Sequence, residues 1–236
     1  MAAVLPTRMG RTSLSGPRPL DTTALSAGAE LAALLGYLFS YIWIIAPMTH
    51  GRAQWPAYVL FIACTIGSHV LRRESLDDLG LRFDNFSRTL AEALVMITPT
   101  ILVVFAFGVA RGETQHMSPR NMVISVLGLF PWALFQQYGL VAVFGRRLRL
   151  LSERPFVTDV GCAAIFALLH LPNPLLMSVT FGAGYCMSVL FRRSPNLFAL
   201  ACAHALASSF IHHSLPFSMT LSMSVGPGCL LRISTG

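Results

Sequence analysis

ELAALLGYLFSYIWIIAPM, residues 30–48, is a continuous apolar run with a single carboxylate at its start. A helix needs about 20 mainly apolar residues to cross the hydrocarbon of a bilayer. The run is longer than a signal-peptide core and no small-residue cleavage pattern follows it, so it is expected to be retained. Working outward, it extends to 27–48, and comparable segments occupy 54–71, 89–110, 121–144, 156–171, 173–191 and 195–213. The expected fold class is therefore all-α, a polytopic transmembrane helix bundle of about seven spans. The fifth span is short and ends in HLPNP, whose prolines stop or kink a helix.

Composition agrees with that solvent. Only 11% of residues are charged and the mean hydropathy is +0.64, where soluble domains carry about a quarter charged residues. The net charge of +7 comes from 17 basic residues, all arginine, that punctuate apolar runs. That pattern argues for topology and against a nucleic-acid partner. In alternate loops, thirteen arginines fall on one side (Arg8 to Arg18, Arg72 to Arg88, Arg146 to Arg154, Arg192 and Arg193) and four on the other. Cytoplasmic loops retain positive charge, so the N-terminus is expected in the cytoplasm. The chain divides into a disordered cytoplasmic tail (1–26), the bundle (27–213) and a C-terminal tail (214–236) with too few continuous apolar residues for an eighth span. Five cysteines without a C-x-x-C pair read as buried thiols.

Polar side chains at membrane depth are costly unless they pair or line a wet cavity, so they mark candidate chemistry. Gln136 and Gln137 in the fourth span, His170 at the end of the fifth and His204 in the seventh stand out. Counted from the inner helix ends, Gln136 and His204 lie about nine residues deep, or ~14 Å, so the two could meet at one level. His170 is roughly 20 Å deep and needs a tilted or shifted helix to join them. Taken singly, each has an ordinary structural reading as interhelical glue. Glu30 and Glu92, near the inner face, read as reaching headgroups, and His69 as interfacial.

The phrases SLDDLGLR, ALFQQYGLVAVFGRRL, IFALLHLPNP and NLFALACAHALASS, in that order over residues 75–213, resemble the CPBP family of intramembrane proteases, the group of CAAX-prenyl endopeptidases and bacteriocin-immunity proteins. The family pattern is Glu-Glu-x-x-x-Arg, then Phe-x-x-x-His, then His followed four residues later by Asn or Asp. Phe166, His170 and His204 match it. Gln136 and Gln137 replace the glutamates, Val141 the arginine and Ser208 the Asn or Asp.

The resemblance implies a membrane cavity in which a glutamate activates water against a peptide carbonyl while His and Asn steady the oxyanion. It assigns Gln136, Gln137, His170 and His204 as catalytic positions, with Phe166, Asn173 and Ser208 as auxiliary ones. A neutral amide is no general base, and losing one costs about 10²- to 10⁴-fold. An imidazole acting as base, or Glu30 or Glu92 delivered from another helix, would compensate. No metal ligand is assigned and the cofactor is left open; Zn²⁺ on both imidazoles and a Gln carbonyl is disfavoured because Gln is not among its usual ligands. Two functions follow as expectations: an intramembrane endopeptidase acting on membrane-proximal or lipidated peptides, or a non-catalytic relative that binds a membrane protein partner or lipidated tail. The expected location is a bacterial inner (plasma) membrane. A small transporter would need ionisable residues along a pathway or inverted repeats, and neither is evident.

Overall fold

The computed structural model describes residues 22–112 and 118–235, and every regular element among them is helical. Residues 1–21 of the expected tail lie outside the described residues, while Thr22 already opens the first helix. Helix α1 (Thr22–Ser40) runs on through a π-helical turn, Tyr41–Ile45, to Met48. Then come α2 (Gln54–Leu71), α3 (Phe86–Arg111) and α4 (Pro119–Gln137). Helix α4 continues through seven π-helical residues, Tyr138–Phe144, into α5 (Gly145–Leu151). Helices α6 (Pro155–Leu168), α7 (Pro174–Arg193) and α8 (Leu197–Ser214) follow, and the C-terminal segment adds α9 (Phe217–Thr220) and α10 (Gly226–Thr235).

Each apolar segment found in the sequence coincides with a helix. Among the described residues, four continuous helical stretches, Thr23–Met48, Phe86–Arg111, Pro119–Leu151 and Pro174–Arg193, are long and apolar enough to cross a membrane. Helix α6 has 14 residues, and α2 and α8 have 18 each. Of the segment expected as a tail, residues 214–235 are described; they are largely helical and pack on the bundle.

Helix starts are encoded locally. Ser118, Asn173 and Asn196 each accept a bond from the backbone N–H three residues on, and proline follows the first two. Such caps satisfy N–H groups that the helix itself leaves open. Small residues then allow close packing, as expected where lipid offers no hydrophobic drive: Ala133 meets Ala201 and Ala205 between α4 and α8, and a Cβ on Gly184 would lie 3.2 Å from the Ala163 Cα. The π-helical residues 139–144 are all buried, and π turns inside α-helices are frequent at functional sites. Of the thiols expected to be buried, only Cys162 and Cys229 are fully so, and Cys64 is exposed on α2. The helix turns Cys64 outward, where lipid tolerates it.

The 72–85 loop folds back over one end of the bundle. Asn196 donates to the carbonyl of Arg82 and to Asn85 Oδ1, and Leu197 N–H donates to the carbonyl of Gly80 at 2.8 Å. Gly80 sits at φ +72°, and a Cβ there would lie 2.6 Å from Phe191 Cε2 and 3.1 Å from the Asn196 nitrogen. Gly80→Ala is therefore expected to destabilise the fold by about 1–3 kcal/mol, readable as a lowered melting temperature in detergent.

Candidate functional site

A pocket of about 410 Å³ opens between α1, α2, α4 and α6. Its wall is aromatic. Tyr58 lies 5.8 Å from Tyr41, 5.5 Å from Trp132 and 4.8 Å from Phe135, centroid to centroid, and Phe61 lies 5.6 Å from Phe135. Gln136 and His170 supply polar groups to the same wall, with Phe166 beside them. No carboxylate among the described residues lines it.

His170 follows α6 in the HLPNP turn, its backbone N–H bonded to the carbonyl of Ala167. Its Nδ1 lies 2.7 Å from the carbonyl of Phe166. A carbonyl only accepts, so Nδ1 carries the hydrogen and the neutral ring keeps an Nε2 lone pair.

Depth counting allowed Gln136 to meet His204, and the contact observed falls one residue later. It is Gln137, 1% exposed, whose Nε2 donates to His204 Nδ1 at 3.0 Å. Successive residues of a helix point about 100° apart, and here the step divides the two glutamines between different neighbours. Gln136 faces the pocket, and Gln137 faces α8 behind it. The Gln137 Oε1 is buried without a partner. Turning the amide over would only exchange which of its atoms is orphaned. The Phe166 ring stands edge-on between the imidazoles, 4.9 Å from His170 and 5.9 Å from His204.

The auxiliary positions separate. Asn173 is fully buried, and its side chain is taken up by capping α7 and by the carbonyls of Thr220 and Ser224 at 3.0 and 3.2 Å. Ser208 follows His204 by one turn on α8 and is not part of the pocket wall.

Neither glutamate weighed as a substitute base reaches the pocket. Glu92 pairs along α3 with exposed Arg88 at 2.9 Å. Glu30, read from sequence as reaching headgroups, is held by Ser68 at 2.5 Å, by Arg72 and by Arg147 at 2.9 Å. Arg147 is completely buried and bridges Glu30, Ser68 and Glu74. Arg146 also binds Glu74, at 3.0 Å, and His69 caps its second oxygen. His69, in the last turn of α2, is buried, 4% exposed, against the Tyr138 ring. Nothing in the sequence pairs these groups, which come from α1, α2, α5 and a loop. A run of arginines beside an apolar span gave only topology.

Chemically, the pocket offers amide donors and acceptors and one imidazole with a free lone pair, so hydrogen bonding is plentiful and proton transfer rests on histidine. Among the described residues, no three His, Cys, Asp or Glu side chains gather as metal ligands.

The fold defines a helical membrane protein, and its pocket carries amide and imidazole groups among aromatic rings. Residues 142–210 match the family model for type II CAAX prenyl endopeptidase Rce1-like proteins, a CPBP-type domain, which bears out the resemblance read from the sequence. The matched region runs from the π-helical segment through most of α8 and includes Phe166, His170, His204 and Ser208, while Gln136 and Gln137 precede it. Neither the curated proteins nor the solved structures contain a match to the chain.

Proposed function

We propose that this CAAX protease-like protein holds a lipidated or membrane-proximal peptide end in the aromatic pocket, the lipid against the ring wall and the peptide amide against Gln136 and His170. One observation carries this reading: the amides of Gln54 and Gln136 and the His170 imidazole sit in a largely apolar wall rich in aromatic rings, and no carboxylate among the described residues lines it. Such a wall suits an apolar chain, while two polar groups suffice to orient what it is attached to. In this proposal the bundle crosses a bacterial inner (plasma) membrane seven times, with the arginine-rich end cytoplasmic.

The test is saturable binding of a fluorescent peptide carrying a thioether-linked isoprenoid chain, in detergent or proteoliposomes. Trp132→Ala and Phe135→Ala are expected to weaken it by about tenfold or more, since each removes an apolar side chain from the wall. Equal binding of the same peptide without its lipid would refute the proposal.

A second reading, slow peptide-bond hydrolysis, is favoured by the His170 bond to Phe166. That bond leaves Nε2 able to take a proton from water, and in this reading the Gln136 amide on the same wall donates to the developing oxyanion. Any turnover found on this basis is expected to vanish in His170→Ala. Turnover persisting in that variant would exclude His170 as the base.

A further inference from the structure

The pocket wall is not built from the family-like region alone. Met223 and Val225, in the C-terminal segment beyond the matched residues, face the same cavity as Gln136 and His170. Several contacts hold that segment in place. Gly226 N–H donates to the carbonyl of Leu171 at 2.7 Å, one residue after His170. Asn173 Nδ2 donates to the carbonyls of Thr220 and Ser224. A Cβ on Gly226, at φ +59°, would lie 2.7 Å from Ile42 Cγ2, so the segment also closes against the π turn of α1. Cys229 beyond it is fully buried.

Leu221, Ser222 and Met223 all have φ near +50°. Three successive non-glycine residues avoid that conformation unless their surroundings impose it. Here it accompanies a reversal between the two carbonyls that Asn173 holds and delivers Met223 to the cavity.

Resting on the binding reading above, we infer that the C-terminal segment is a specificity wall: Met223 and Val225 set the length of apolar chain the pocket accepts, and Asn173 is the positioning residue that fixes them. This gives Asn173 a role other than the auxiliary donor expected from the sequence.

The experiment measures affinities of purified protein for one peptide carrying saturated thioether chains of graded length. Met223→Ala and Val225→Ala are expected to move the preferred length upward by about two methylenes, each added buried methylene improving affinity about fourfold. Val225→Phe is expected to move it downward, and Asn173→Ala to flatten the preference while binding persists. Unchanged length preference in folded Met223→Ala, Val225→Ala and Val225→Phe proteins would overturn the inference alone. Failure of the wild-type protein to bind any lipidated peptide would overturn the binding reading and this inference with it.

Discussion

Replacing Arg147 with methionine is expected to lower stability by about 3–5 kcal/mol, the range for removing one member of a buried ion cluster. In a chain of this size that is a fall of roughly 6–20 °C in melting temperature in detergent. The reason lies in what is left behind. Arg147 is completely buried and donates to Glu30, Glu74 and Ser68 at 2.7–2.9 Å. Without it, two carboxylates that are little exposed lose their shared cation. Arg147→Lys keeps the charge but has no planar fork to bridge three acceptors, so it is expected to fall between wild type and methionine. A methionine variant as stable as wild type would show that the cluster contributes no net stability.

The same cluster gives stability a pH dependence. Burial alone would raise the Glu74 carboxyl, but hydrogen bonds from His69 and Arg146 and the nearby charges of Arg147 and Arg146 hold it below its ordinary value. A depressed carboxyl contributes stability that is present above the unfolded-state value and is lost as pH falls through the folded one. Melting temperature should therefore decline on acidification below the usual carboxylate range, and Glu74→Gln should flatten that limb of the curve.

The second large effect is a gain. Gln136→Glu is expected to create or raise cleavage of a lipidated peptide by about 10²- to 10⁴-fold, the contribution of a positioned general base. The structure makes Gln136 the residue to change, because it faces the pocket with His170. Gln137→Glu would instead bury a carboxylate against His204 in a site with a single hydrogen bond, and is expected to add little activity at a cost in stability. Adding His170→Ala to Gln136→Glu should return cleavage to baseline if the imidazole takes part. No cleavage by folded Gln136→Glu protein across a panel of lipidated peptides would leave binding as the better account of the pocket.

Much of this protein was legible in one dimension. Apolar runs long enough to span lipid can bury their backbone polar groups only as helices, so the helices fall where hydropathy put them. Glutamine and histidine stand out in such runs because lipid makes them expensive, and the ordered phrases over residues 75–213 suggested a family whose model then matched residues 142–210.

Other features depended on rotation and contact, which spacing does not encode. The turn of about 100° per residue gives adjacent glutamines different neighbours. Depth counting gave the level of the pair with His204 but not the choice between Gln136 and Gln137. The partners of Glu30 and His69 are brought together only when α1, α2 and α5 pack, through contacts more than a hundred residues apart in one case. Asn173 looked like a donor to chemistry and is consumed by a helix cap and two distant carbonyls. The segment after His213 was too weakly apolar to read as a span, and its role as a pocket wall exists only through what it touches. Sequence determined the solvent, the helices and the polar residues that need a reason. Tertiary packing decided which of those residues share a cavity, because each helix brings them to a neighbour that lies far away along the chain.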